Sequence, residues 1–184
     1  TNNNETLYNR LLRSDKSISI PVRMKNGPPG TRDCTINFKI KVIRRWLGKG
    51  RHVVGLGISL DEFHRMRASE HERFTHEWPL IDLRLSRTDC LRIIRDAGLH
   101  PPPKSSCWFC PFHRIAAWQD IRRNKPELFD RAVRLEALIN EKRAVLGRDT
   151  VYLSMMGQPL SDAIADQPLL IPDDSSCESG YCLT

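Results

Sequence analysis

The chain has 184 residues, with 29 Lys and Arg against 22 Asp and Glu and a formal charge of +7. That length supports one domain with a real core, and the basic balance favours anionic partners such as nucleotides or nucleic acid. No run of about 18 apolar residues exists, which argues against a membrane span, and no charged-then-apolar signal peptide opens the chain. Six cysteines without such a signal point to a reducing, cytoplasmic setting, where thiols bind metal or do redox chemistry more often than they form structural disulfides. The opening residue is Thr1 rather than Met, so a preceding segment is expected to be missing.

Residues 5–12 read as a short helix, with Leu7, Tyr8, Leu11 and Leu12 on one side. Ile18, Ile20, Val22 and Met24 alternate with other residues, which is a strand signal. A loop rich in Gly and Pro then leads to Arg32-Asp33-Cys34-Thr35. From Thr35 the pattern turns helical. Ile36, Ile40, Ile43 and Leu47 should share one buried face, with Asp33 as N-cap and Gly48 as stop.

Residues 53–58 form an apolar run and are expected to be a buried strand. Residues 61–70 predict a polar helix whose His64, Arg65 and Arg67 are either phosphate-facing or a solvated face. His71 and His76 read as surface residues. Pro79-Leu80-Ile81-Asp82-Leu83 predicts a short strand. Ser86 and Asp89 have the spacing of a capping box, which starts a helix ending at Gly98 with Ile93, Ile94 and Ala97 inward. Three prolines, Pro101 to Pro103, make an extended connector. Two helices follow. Trp118 and Ile121 mark the first; the second has Asn124 as cap, Pro126 in its first turn and a broad apolar face from Phe129 to Ile139. Residues 151–153 predict a brief strand, and Ser161 caps a last short helix. Strands alternating with helices give an α/β fold with a helical C-terminal part. Residues 1–100 and 101–184 form its two portions, joined as one structural unit.

The chemistry centres on Cys107-Trp108-Phe109-Cys110-Pro111-Phe112-His113. Two thiols separated by two residues can bind one metal, because the turn between them points both sulfurs the same way. Trp108, Phe109 and Phe112 supply an apolar wall around such a site. Some of Cys34, Cys90, Cys177 and Cys182 are expected to fold back onto the pair. Cys34 falls at a helix N-terminus, where the partial positive charge favours the thiolate form that metals and electrophiles require. Arg32 and Lys39 flank Cys34; they either contact a phosphate or sulfate or balance thiolate charge. His113 is either a further ligand or a surface histidine bonded to the backbone. Cys177 and Cys182 read as redox thiols or as a merely reactive tail.

Order and spacing over about residues 18–125 resemble the phosphoadenosine phosphosulfate (PAPS) reductase family, of the adenine nucleotide alpha-hydrolase group. The likeness lies in the block from Cys34 to Ile43, in Cys107-x-x-Cys110, and between them in Gly57-Ile58, Asp61-Glu62, Pro79-Leu80 and Asp89. It is closer to the bacterial and phage branch. That branch is marked by Arg-x-Cys-Thr (Arg32 to Thr35), Asp89-Cys90, Ser105 to Phe112, and a cysteine pair near the end (Cys177, Cys182).

The resemblance implies a partial Rossmann-like sheet with a cysteine-rich, metal-binding C-terminal part. It implies Cys34, Cys107 and Cys110 as ligands of a 4Fe-4S iron–sulfur cluster or of Zn²⁺, with Cys90 chosen for the fourth place, which Thr35 leaves open. It makes Cys182 or Cys177 the nucleophile or sulfur carrier, and Arg32, Lys39 and Arg65 substrate-binding. The family's Ser-Gly-Gly-x-Asp-Ser phosphate loop is not in this sequence and would lie ahead of Thr1. Thr35 stands where the reductases have a second cysteine, and their terminal Glu-Cys-Gly motif is absent.

Two functions follow as expectations. One is an enzyme using ATP or a sulfonucleotide, reducing it or modifying DNA or tRNA. The other is a non-catalytic, metal-stabilised module that binds nucleic acid or protein subunits in a larger complex.

Overall fold

The computed structural model describes residues 5–13, 18–25, 27–102 and 105–164. In chain order they form α1 (Leu7–Arg13), β1 (Arg23–Met24), α2 (Asp33–Thr35), a π-helical segment (Ile36–Ile40), α3 (Lys41–Leu47), β2 (His52–Gly55), a 3₁₀ segment (Leu60–Arg65), β3 (Phe74–Glu77), α4 (Pro79–Asp82), α5 (Arg87–Asp96), α6 (Ile115–Asn124), α7 (Pro126–Val145), β4 (Val151–Tyr152) and α8 (Leu160–Ala163). The fold is mixed helix and strand with small sheets. No described helix is long and apolar enough to cross a membrane. The chain divides into two compact units: the described residues up to Val42 with those from Ser106 onward, and Ile43–Ser105.

The first unit is built on α7, against which α1, α6, α8 and β4 pack. Pro126 stands in its first turn, where a missing N–H costs nothing. Phe129, Ala132, Leu135 and Ile139 recur at helical spacing and form its buried stripe. Trp118 from α6 and Leu153, Leu160 and Ile164 from beyond β4 complete the core, each at most 1 % exposed. Burial of each such large side chain stabilises by about 1.5–3 kcal/mol.

Two polar side chains of α7 do the work of a neighbouring strand. Asn140 donates from Nδ2 to the Val151 carbonyl (2.8 Å) and accepts from the Val151 N–H (2.9 Å). The buried Glu136 accepts from the Leu153 N–H (2.6 Å) and the Leu160 N–H (2.8 Å). β4 itself pairs antiparallel with β1, Arg23 opposite Tyr152.

In the second unit β2 and β3 run parallel, His52 opposite Phe74 and Gly55 opposite Glu77. Its buried apolar side chains among the described residues are Ile58 and Phe74. Hydrogen bonds hold the rest. The capping box at α5 is complete: Ser86 Oγ accepts from the Asp89 N–H (3.2 Å), and Asp89 Oδ2 accepts from the Ser86 N–H (3.0 Å). The Arg87 N–H donates to Asp61 Oδ2 (2.5 Å), tying α5 to the 3₁₀ segment.

Several sequence expectations need correction. Ile36 and Ile43 are exposed rather than buried, because the π segment widens the helix and breaks the 3.6-residue phase that the stripe assumed. Arg32, not Asp33, occupies the N-cap position, without a side-chain cap bond. Val53 is 63 % exposed, since β2 alternates and only the His52–Val54 side is partly covered. The helix expected over residues 61–70 is only the 3₁₀ segment, interrupted at Glu62 and followed by extended Met66. Residues 79–82 are helix rather than strand, with Pro79 preset for a first helical turn. The strand Phe74–Glu77 was not expected. Ile93 and Ala97 face solvent. Asn124 closes α6 instead of capping α7, and Pro159 rather than Ser161 precedes α8.

Candidate functional site

The cysteine turn lies in the first unit and is fixed at both ends. Its Cys107 carbonyl accepts twice, from the Cys110 N–H (3.0 Å) and from His113 Nε2–H (2.8 Å). The Cys110 carbonyl accepts from the His113 N–H (3.0 Å). Of the two roles open to His113, the backbone-bonded one is seen. Pro111 and Phe109 are buried beneath the turn. Trp108 and Phe109 form an edge-to-face pair (4.8 Å), and Tyr8 leans on both at 5.3 and 6.0 Å. The Arg131 guanidinium stands over Tyr8 and Trp108, 4.9 Å from each ring. The turn is thus set on a rigid aromatic base.

Cys34 arrives from α2. Its N–H donates to the Ser19 carbonyl (2.7 Å), and its side chain packs against the same core cluster as Phe109. Cys107 is an exposed residue, yet partial desolvation of its sulfur raises the thiol above its ordinary range; the Lys39 ammonium offsets part of that rise, and the Cys34 thiol adds to it. Cys34 and Lys39 therefore both act on Cys107, although they are five residues apart. On a straight α-helix that spacing turns a side chain by about 140°. The π segment, with the Lys41 N–H bonded to the Ile36 carbonyl, closes that gap.

The remaining expected site residues are placed as follows. Arg32 sits two residues before Cys34, its guanidinium over the Phe112 ring. Cys90 is a half-buried free thiol in the first turn of α5, in the second unit. Arg65, also in the second unit, pairs with Glu62 (2.6 Å). Cys177 and Cys182 lie outside the described residues. Cys34 and Cys107 are free thiols, and Cys110 carries the second thiol of the turn. They suit a thiolate-bound metal in kind. Among the described residues, however, no three His, Cys, Asp or Glu side chains stand in an arrangement that holds an ion.

Sequence reasoning missed Arg23, whose guanidinium also lies over Phe112. It reads as an outward residue of the strand, and only tertiary placement brings it to the turn. An open depression lined by Met24, Lys25, Gly27, Asp149, Thr150 and Tyr152 holds none of the expected site residues. Comparisons with protein families, with characterised proteins and with solved structures return no match.

Proposed function

We propose that the chain is a PAPS reductase-like protein that brings cysteine chemistry to a nucleotide, or to sulfur transfer on a nucleic acid, in the cytoplasm. The observation that carries this reading is the convergence of Cys34 and Lys39 on Cys107 from a segment far away in the sequence. A cation beside two thiols can receive a phosphate or sulfate, and the Lys39 ammonium offsets part of the rise that desolvation and Cys34 impose on Cys107. The parallel β2–β3 pair supports a partial Rossmann-like sheet. The cofactor proposed with it is a 4Fe-4S cluster, or Zn²⁺, on Cys34, Cys107, Cys110 and Cys90. Cys182 or Cys177 is proposed as nucleophile or sulfur carrier on the family likeness alone.

Anaerobic purification with metal analysis and a visible spectrum tests the cofactor. About four irons per chain with a thiolate–iron absorption band is the expected result. Turnover assays with ATP, sulfonucleotides and nucleic acid then test the reaction. A metal-free protein without turnover would remove the reading.

One observation favours the alternative, a non-catalytic module that binds nucleic acid. The stretch from Lys41 to Arg51 is rich in Lys and Arg and presents Trp46 at 84 % exposure. An exposed indole among cations is a stacking platform for bases. One zinc per chain, no turnover and loss of oligonucleotide binding on Trp46→Ala would select this second role.

A further inference from the structure

Arg23 in β1 and Arg32 before α2 bring their guanidinium carbons to 5.2 and 5.1 Å from the centroid of one ring, that of Phe112. The two cations therefore lie within about 10 Å of each other. Neither forms an ion pair among the described residues. Arg23 Nε and Arg32 Nη1 are buried and have no hydrogen-bond partner there. Two like charges gathered on one ring face repulsion, and two buried N–H donors without acceptors are costly. The ring's negative face offsets part of the repulsion but accepts neither hydrogen bond in the plane of the guanidinium.

One kind of ligand resolves both problems: a compact, multiply charged oxyanion. It neutralises the pair, and its oxygens match the planar donor fork of arginine. We propose that Arg23 and Arg32, positioned by Phe112, bind a tetrahedral oxyanion, a sulfate or phosphate group. Phe112 follows Cys110 by two residues and Arg32 precedes Cys34 by two, so the site is built from the same two segments of chain that carry these thiols. This assignment deepens the proposed function, resting on it for what the anion is used for and on the arginines alone for its binding.

Calorimetric titration of the full chain at low ionic strength tests it, with inorganic sulfate and phosphate, adenosine 3′,5′-bisphosphate and a short single-stranded oligonucleotide as separate probes. Saturable binding is expected, weakened about tenfold or more by Arg23→Gln or Arg32→Gln, as for a lost charge-assisted hydrogen bond. Tighter binding of the bisphosphate than of sulfate assigns the group to a free nucleotide; tighter binding of the oligonucleotide assigns it to a strand. Arg23→Lys and Arg32→Lys keep the charge while losing the fork, and serve if the glutamine variants do not fold; both should still weaken binding. Absence of saturable binding by every probe, as when water meets the buried nitrogens, overturns the proposal. So does binding that none of the substitutions alters. Arginine-dependent binding in a protein without metal or turnover keeps the oxyanion site and discards the thiol reading. Metal and turnover without arginine dependence does the reverse.

Discussion

The two units bury their apolar side chains to very different degrees. In the first, Trp118, Ala132, Leu135, Val151, Leu153, Leu160 and Ile164 are all at most 1 % exposed. In the second, Ile58 and Phe74 keep 8 % and 7 %, while Val53, Phe63 and Leu99 are more than 60 % exposed. The first is held by packing, the second by short-range hydrogen bonds such as the capping box. The cysteine turn stands on the packed unit. A site that must hold two sulfurs and a cation in fixed relation needs side chains locked by their surroundings, and among the described residues the first unit supplies them.

The largest test of that contrast is truncation of the cores. Leu135→Ala is expected to cost about 2–5 kcal/mol and Trp118→Ala about 3–5 kcal/mol in denaturant unfolding. Val53→Ala should stay within about 0.5 kcal/mol, as at an exposed position. Comparable losses at Leu135 and Val53 would erase the distinction.

Glu136 comes next. Glu136→Gln sets an amide N–H₂ against one of two backbone donors and should cost about 1–3 kcal/mol. Burial raises the Glu136 carboxyl above the usual carboxylate range, more than the Leu153 and Leu160 N–H groups lower it. Its contribution is therefore complete below the unfolded value and is lost as pH rises through the folded one. Across that window the native protein should lose stability relative to Glu136→Gln, as thermal melts at a series of pH values would record. Parallel curves would mean that the carboxyl does not titrate differently on folding.

Ser86→Ala removes one half of the capping box and should cost about 1 kcal/mol. Hydrogen exchange should place the loss in α5, leaving α7 protected. The Asp89 carboxyl is lowered, first by the Ser86 hydroxyl, so the cap holds above the unfolded value and weakens as pH falls through the folded one. An α5 whose protection is unchanged in the variant would show that the cap is dispensable.

The smallest effects concern reactivity. In metal-free protein, the alkylation rate of Cys107 should rise with pH through an inflection above the usual thiol range. Lys39→Gln should move the inflection up and Cys34→Ser should move it down. Shifts in the same direction, or none, would mean that the three groups do not meet.

What was legible in the sequence follows the same division. Pro126 and the apolar spacing from Phe129 to Ile139 announced α7, because a long amphipathic stripe is a local signal that packing confirms. Ser86 and Asp89 announced the cap for the same reason. Phe74-Thr75-His76-Glu77 carries no apolar alternation, and its strand exists through a parallel partner distant in sequence. Leu80, Ile81 and Leu83 have strand-like composition, but Pro79 turned them into a helical turn. At the site, Cys107-x-x-Cys110 was readable from spacing and Cys34 from its place at a helix start. Arg23 over Phe112, and Glu136 inside an apolar stripe, depend on contacts that no local pattern records.

The π turn at Ile36–Ile40 carries a consequence for descent and alignment. It reads as a one-residue insertion retained within a helix. A relative without it would match this chain up to Thr35 and then run one position out of step through Lys41, although both would be helical throughout. Regularising that turn to α geometry while keeping every residue would leave a helix, but one that swings Lys39 by about 100° relative to Cys34. The cation would then leave the thiols while every cysteine stayed in place, so a family history read from the cysteines alone would miss the change.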